Sequence, residues 1–319
     1  MYFIEGLLCG LKQLNPKGGW LPHDPVRGWE IETPALNEEH CKILLQDDLT
    51  FVDGKVVELE KYIEHYKKDI DKIIFHTWHK SLYKLYPNLK FVYYPFFLLD
   101  HQKDARKHQK TVEEKFFFDR KKNTFLCLNA RKRPHRDKVF AKIKNFKNCI
   151  YSYTHRGVPS PMHGDWTMEQ YRDWNVNNKD MLTNTKNLLV CADMYNLTQF
   201  SIVTETRYNL PCDFITEKTT QCWLALHPAL YVSNRYHVAH LRDWGFDLFD
   251  DIFDHSYDSK SDSDRIDTLF KNNQSQMQNG IILSDSIKQR LFRNREHYLK
   301  NFDKILLSQI KPLNFNTFI

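Results

Sequence analysis

The sequence predicts an α/β protein built on parallel sheets. Short apolar runs rich in β-branched and aromatic residues, the length of buried strands, recur along the chain. Stretches of helix chemistry lie between them, the alternation that brings parallel strands together. Hydrophobic residues make up 41% of the 319 positions and aromatics 14%, enough apolar side chain for sizeable cores and against a disordered chain. At roughly 100–200 residues per domain the length suits two domains or one large one.

In chain order, Glu58–Asp69 carries helix formers ahead of the first strand, Lys72–Trp78 (KIIFHTW). His79–Tyr86 is short and partly helical in pattern, and Leu89–Pro95 (LKFVYYP) is the second strand. Asp100–Lys122 is strongly charged and marks the domain boundary. Beyond it, Thr124–Asn129 (TFLCLN) is a strand, followed by a basic loop and a helix through Asp137–Lys144. Asn148–Tyr153 and Phe200–Glu205 (FSIVTE) are further strands. Thr216–Leu226 has helix chemistry with Thr216 as N-cap. Ala229–Ser233 is another strand, and Ser284–Ile310 a long amphipathic helix. This gives an N-terminal α/β domain over 1–115, a second α/β domain over 116–283, and a C-terminal helix over 284–319 that packs back on both.

Composition removes several classes. The first residues carry Glu5 and no basic leader, against a signal peptide. No apolar run approaches the roughly 18 residues of a membrane span. Seven cysteines without a CxxC pair read as reduced thiols and no zinc site, so a cytoplasmic location is expected, the host cytoplasm if the chain is viral. Only ten glycines argue against Gly-rich cofactor loops. The net charge of +6 hides an asymmetry: His101–Lys147 holds 16 Lys/Arg against 5 Asp/Glu, whereas Asp243–Asp267 holds 9 Asp against Lys260 and Arg265. The first block is either a solvated face or a site for a phosphate-bearing partner.

Two segments carry chemistry. Asn129 to Arg136 (NARKRPHR) follows a strand and opens a helix, and ligands of open α/β sheets bind outside the carboxyl ends of strands. Arg131, Arg133 and Arg136 at a helix N-terminus suit a diphosphate, whose oxygens an Arg fork engages in pairs. Thr204-Glu205-Thr206 ends the next strong strand, and Asp213-Phe214-Ile215-Thr216-Glu217-Lys218 opens the helix after it. There a carboxylate accepts from a ribose diol while an ammonium meets phosphate.

The run SIVTETRYNLPCDFITEKTTQCWLALHPALYVS resembles the donor-binding segment of the alpha-1,3-fucosyltransferase family and its viral and bacterial relatives. The likeness spans about Phe125 to Arg265 and centres on Asp213–Lys218. It implies two Rossmann-like domains of the GT-B glycosyltransferase type, with metal-independent, inverting transfer. By the same resemblance Glu217 holds the donor ribose, Lys218 its phosphate, and an Arg after Asn129 the diphosphate. Glu205 then ends the donor strand. Leu241–Phe246 and Asp254–Asp258 resemble a segment beside the donor in related viral proteins, which brings Tyr257 into the donor set. Thr204-Glu205-Thr206 stands where the family usually has Glu-Asn-Ser, so fucose is not carried over.

Inverting transfer needs a base for the acceptor hydroxyl. Asp24, His76, His79 and Asp100 stand in loops or near strand ends where such a base belongs, with Asp24, His79 and Asp100 the leading candidates. Asp262-Ser263-Asp264 matches a metal-binding Asp-X-Asp pattern, but it lies far past the strand on which that motif would sit. No metal and no cofactor beyond the nucleoside diphosphate sugar is expected. Duplex DNA, with a hydroxymethylated base as in phage, is one acceptor. Arg120, Lys121 and Lys122 would then meet its backbone. A glycan or protein acceptor is the alternative, and a non-catalytic nucleic-acid-binding protein the competing class.

Overall fold

The computed structural model describes residues 41–44, 51–52, 55–65, 67–68, 70–77, 82–118, 122–129, 132–155, 158–159, 185, 188–189, 191–209 and 215–312. The first part of the chain supplies β1 (Cys41–Leu44), β2 (Phe51–Val52), β3 (Lys55–Val56), α1 (Val57–His65), β4 (Ile73–Thr77), α2 (Leu82–Leu85) and β5 (Lys90–Tyr93). Two helices follow, α3 (Phe96–Lys107) and α4 (Gln109–Lys115). Next come β6 (Asn123–Asn129), α5 (Pro134–Ile143), β7 (Cys149–His155), β8 (Val158–Pro159), α6 (Ala192–Leu197) and β9 (Thr198–Thr204). The rest is α7 (Glu217–Leu224), β10 (Ala229–Val232), α8 (His237–Asp243), α9 (Arg265–Asn272), α10 (Gln274–Asn279), α11 (Asp285–Lys300), α12 (Phe302–Ser308) and β11 (Lys311–Pro312).

The architecture is mixed α/β with parallel sheets. One sheet has the order β1-β4-β5-β11, its first three strands parallel and β11 antiparallel to β5. The other has the order β10-β9-β6-β7-β8, parallel from β10 to β7. β8 closes its edge as the second arm of a hairpin. β6, β9 and β10 are buried along almost their whole length, because helices cover both faces of a parallel sheet. Their sequences accordingly read as continuous apolar runs.

The smaller core gathers Val56, Leu59, Ile73, Phe75, Leu82, Leu89 and Phe91. The larger one surrounds the five-stranded sheet and also takes in Leu98, Ala105 and Val112 of α3 and α4. The described part of the charged stretch Asp100–Lys122 is therefore largely helical, with Ala105 and Val112 turned to the larger core and Lys103, Lys107, Lys110 and Lys115 exposed.

The expected C-terminal helix is two, broken at Asn301. Ser284 caps the first, its hydroxyl accepting from Ile287 N. Both lean on α3: Gln102 donates to Tyr298 O and Arg106 to Leu299 O, each at 2.5 Å, and Arg106 pairs with Asp303 at 2.9 Å. Trp223 stacks on Phe246 at 3.6 Å, and Phe302 packs edge-on against both rings. β11 then joins β5, with Lys311 opposite Tyr93. None of the helices among the described residues is long and apolar enough to cross a membrane.

Arg290 on α11 holds the acidic segment in place. Its guanidinium meets Asp247 at 2.6 and 2.8 Å and Asp251 at 2.7 and 2.8 Å, over the Phe249 ring. Partial burial would raise the Asp247 carboxyl, but Arg290 outweighs it, and both carboxyls lie below their ordinary value. Carboxyls depressed in the folded state stabilise it above their unfolded pKa of about 4, and that contribution is lost as pH falls through the depressed values. Urea midpoints measured from about pH 6 down to about pH 2.5 should therefore fall more steeply for the parent than for Arg290→Gln; parallel curves would show that the clamp adds no acid-sensitive stability.

Candidate functional site

The chain runs from β6 to its neighbour β7, then returns to the other side of β6 to form β9 and β10. The direction of winding reverses between β6 and β9, and the crevice outside their carboxyl ends is where such sheets bind ligands. The described residues of the two segments singled out in the sequence, 129 and 132–136 after β6 and 204–209 and 215–218 after β9, meet there.

Backbone and buried side chains lock the segments together. The Thr204 hydroxyl donates to Asn129 Oδ1, joining the two strand ends. His135 and Arg136, on the first turn of α5, point back beneath the crevice. The His135 imidazole meets Glu205 O at 2.9 Å, and Arg136 donates to Thr204 O at 3.1 Å and Glu205 O at 3.5 Å. Burial drives the His135 pKa down to about 4, against the pull of its bond to Glu205, so the ring is neutral at physiological pH. Tyr208 is buried against two side chains. His135 stacks on it at 5.3 Å and the Arg265 guanidinium covers it at 4.4 Å, also donating to Tyr208 O at 2.9 Å. The loop after β9 is thus pinned from two sides.

Glu205 is wholly buried and its carboxylate is fully engaged. One oxygen accepts from Thr216 N at 3.0 Å and Thr219 Oγ1 at 2.6 Å, the other from Thr216 Oγ1 at 2.5 Å. All three donors belong to the start of α7, so a strand-end carboxylate satisfies amide and hydroxyl groups that open the next helix. Thr216 is the N-cap expected from the sequence. Glu217 and Lys218 follow at the rim, their side chains about a quarter exposed. Lys218 Nζ lies 2.7 Å from Glu217 Oε1, 3.0 Å from Thr216 Oγ1 and 3.4 Å from Thr206 Oγ1. Burial raises the Glu217 carboxyl, but Lys218 more than offsets this and holds it ionised, below its ordinary value.

Opposite, α5 begins with Arg133 at its N-cap and no side chain capping it. An uncapped helix start with a guanidinium, on the same sheet edge as the Lys218 ammonium, has the polarity that suits an anion. His101 on α3 comes near the first turn of α7. It is buried, its pKa pushed down to about 4 by burial, and Glu217 and Lys218 are among its electrostatic neighbours.

Arg133, Glu217 and Lys218 therefore border the crevice, and Arg131 lies outside the described residues. Glu205 and Arg136 face inward: the first organises α7 and the second braces the strand ends, so neither offers its group to a ribose or a phosphate. Tyr257 is also interior. Its hydroxyl accepts from Tyr231 N at 3.0 Å, covering the open edge of β10. Asp100 is exposed on α3, with Asp104, Lys103 and Lys107 as its charged neighbours, and burial followed by Asp104 raises its carboxyl. Asp24, His79, Arg120 and Lys121 lie outside the described residues; Lys122 is exposed, its N–H donating to Leu197 O at 3.0 Å. Asp262 pairs with Arg265 at 2.6 Å and Asp264 accepts from Ser261 and Ser263, which makes that motif a helix-leading turn. Among the described residues no group of three or more His, Cys, Asp or Glu could hold a metal ion.

His101, Tyr208, Thr219 and Arg265 shape the site without a local signal in the sequence, because each acts on residues that are neighbours only in the fold. A depression of about 590 Å³ lies elsewhere, bordered by Arg242, Asp250, Asp251, Asp254 and Asn272; its carboxylates make it a poor seat for a diphosphate. Comparison with protein-family models, curated proteins and solved structures gives no match.

The Glu205 clamp predicts a large stability effect. Glu205→Ala leaves the Thr216 amide and two hydroxyls without their buried acceptor and should cost on the order of 3–5 kcal/mol in urea unfolding. Glu205→Gln keeps one carbonyl acceptor and should cost less. Equal, small losses in both variants would refute the clamp.

Proposed function

We propose that this chain is a glycosyltransferase that moves a sugar from a nucleoside diphosphate sugar to an acceptor hydroxyl. The observation that carries the reading is the meeting of the 129–136 and 204–218 segments at the point where the sheet reverses. There an ionised Glu217 stands beside Lys218 after β9, and the Arg133 helix start follows the neighbouring β6. Glu217 accepts from the ribose diol; Lys218, Arg133 and the α5 amides neutralise the diphosphate as it leaves, the electrostatic stabilisation that such a transfer needs. Arg131 adds to this charge. With the cations supplied by the chain, the reaction proceeds without a metal and inverts the sugar carbon. The two sheets correspond in this reading to the two Rossmann-like domains of a GT-B enzyme. The base is one of Asp24, His79 and Asp100; the raised carboxyl of Asp100 suits it to accept a proton.

The experiment is a melting series with UDP, GDP, CDP and ADP. One of them should stabilise the protein by ~2.7 kcal/mol at 100 times its dissociation constant. Lys218→Ala and Glu217→Ala should each weaken that binding by roughly 1.5–3 kcal/mol while leaving the fold intact, since both side chains lie at the rim. No shift with any nucleotide, or normal binding in both variants, ends this reading.

Duplex DNA is the acceptor that the basic block favours, because Lys103, Lys107, Lys110, Lys115 and Lys122 are all exposed. Affinity for DNA should then fall with salt on a log–log plot with a slope of about −0.9 per phosphate neutralised. Charge reversal at Arg120, Lys121 and Lys122 should flatten that slope and spare nucleotide binding. A glycan or protein acceptor gives little salt dependence and no effect of the triple reversal on transfer.

A further inference from the structure

Along the carboxyl edge of the five-stranded sheet, three neighbouring strands deliver three different chemistries. Cations and an uncapped helix start follow β6. The Glu217 carboxylate follows β9. After β10 comes Arg235-Tyr236, a guanidinium and an aromatic ring. Adjacent strands lie about 4.8 Å apart, so the three loops span about 10 Å. Diphosphate, ribose and base follow one another in the same order along a nucleotide. The β9 and β10 loops also leave the sheet at one level, since Val232 lies opposite Thr204 and Glu205 N donates to Val232 O at 3.0 Å.

Tyr236 stands out among the residues of that edge. Its side chain is 53% exposed and its φ is +64°, in the left-handed region that a residue with a Cβ enters at a cost. A glycine would hold this backbone without strain, so what tyrosine adds is its ring. Several bonds enforce the conformation. Tyr236 N donates to Asp258 O at 3.1 Å, and the buried Asp258 carboxylate accepts from Val238 N and Ala239 N at 3.0 Å each, fixing the start of α8 immediately after the tyrosine. Arg235 lies over the ring at 5.0 Å and donates to its hydroxyl at 3.2 Å, which sets the ring plane.

We infer that Tyr236, braced by Arg235, is the platform on which the base of a nucleoside diphosphate stacks. The inference rests on the donor site proposed above and assigns its third part. Stacking of this kind accepts any base through its π-face, and the guanidinium adds attraction to the same rings.

Titration calorimetry on the full chain tests it, with UDP, GDP, CDP, ADP and inorganic pyrophosphate against the parent, Tyr236→Ala, Tyr236→Gly and Tyr236→Phe. The Ala and Gly variants should bind the preferred nucleoside diphosphate about tenfold more weakly and pyrophosphate as the parent does. Tyr236→Phe should retain most of the nucleotide affinity. Tyr236→Gly relieves the left-handed strain, so it reports on the ring even where Tyr236→Ala lowers stability. Unchanged nucleotide affinity in both, or an equal loss for pyrophosphate and nucleotide, overturns the platform. A parent that binds pyrophosphate as tightly as every nucleotide overturns it too, while leaving the anion site standing. A parent that binds neither overturns the donor reading along with it.

Discussion

The carboxylate of Glu205 ties the end of β9 to the first turn of α7, and the crevice is built outward from that tie. A buried carboxylate is tolerated only when its oxygens are satisfied. Here three donors from Thr216 and Thr219 satisfy them, and those donors sit where a helix leaves amides unpaired. The same contact fixes where α7 starts, and so where Glu217 and Lys218 emerge. Meanwhile the Glu205 carbonyl receives His135 from the facing segment, so one residue positions both walls.

Sheet topology supplies the second constraint. Reversal of winding between β6 and β9 sends the following helices to opposite sides of the sheet, and both flanking loops border the crevice between them. The buried contacts of Tyr208 with His135 and Arg265 tie the first residues after β9 to the starts of α5 and α9. Beside α7, α11 and α12 grip α3 and deliver β11 to β5, so elements widely separated in sequence are packed together around α3.

Much of this was legible in the sequence, and the reasons are local. Lys72–Trp78, Thr124–Asn129, Phe200–Glu205 and Ala229–Ser233 are runs that only a doubly covered strand explains, and the strands fall within a residue or two of them. Thr216 announced itself as an N-cap because capping is a short-range preference. Side-chain direction was not legible. Nothing near Glu205, Arg136 or Tyr257 tells whether the group turns to the crevice or to the core; that depends on Thr219, Thr204 and Tyr231, which are neighbours only in the fold. The break at Asn301 was hidden as well, since amphipathic periodicity continues on both sides of it.

Burial divides the polar residues of the crevice into two kinds of work. Groups such as Glu205, His135 and Arg136 sit in a water-poor interior with several partners each, where losing one partner strands a polar atom and is expensive. Such groups hold geometry and cannot readily exchange partners with a ligand. Lys218 and Glu217 stand at the rim, and an ion pair there is worth no more than about 1 kcal/mol. On the proposed reading an incoming diphosphate shares the Lys218 ammonium with Glu217 at small cost, and the ammonium keeps the Glu217 carboxylate ionised and able to accept from a diol. The buried network keeps the strand ends beneath them fixed, so on the proposed reading binding engages side chains that are already in place.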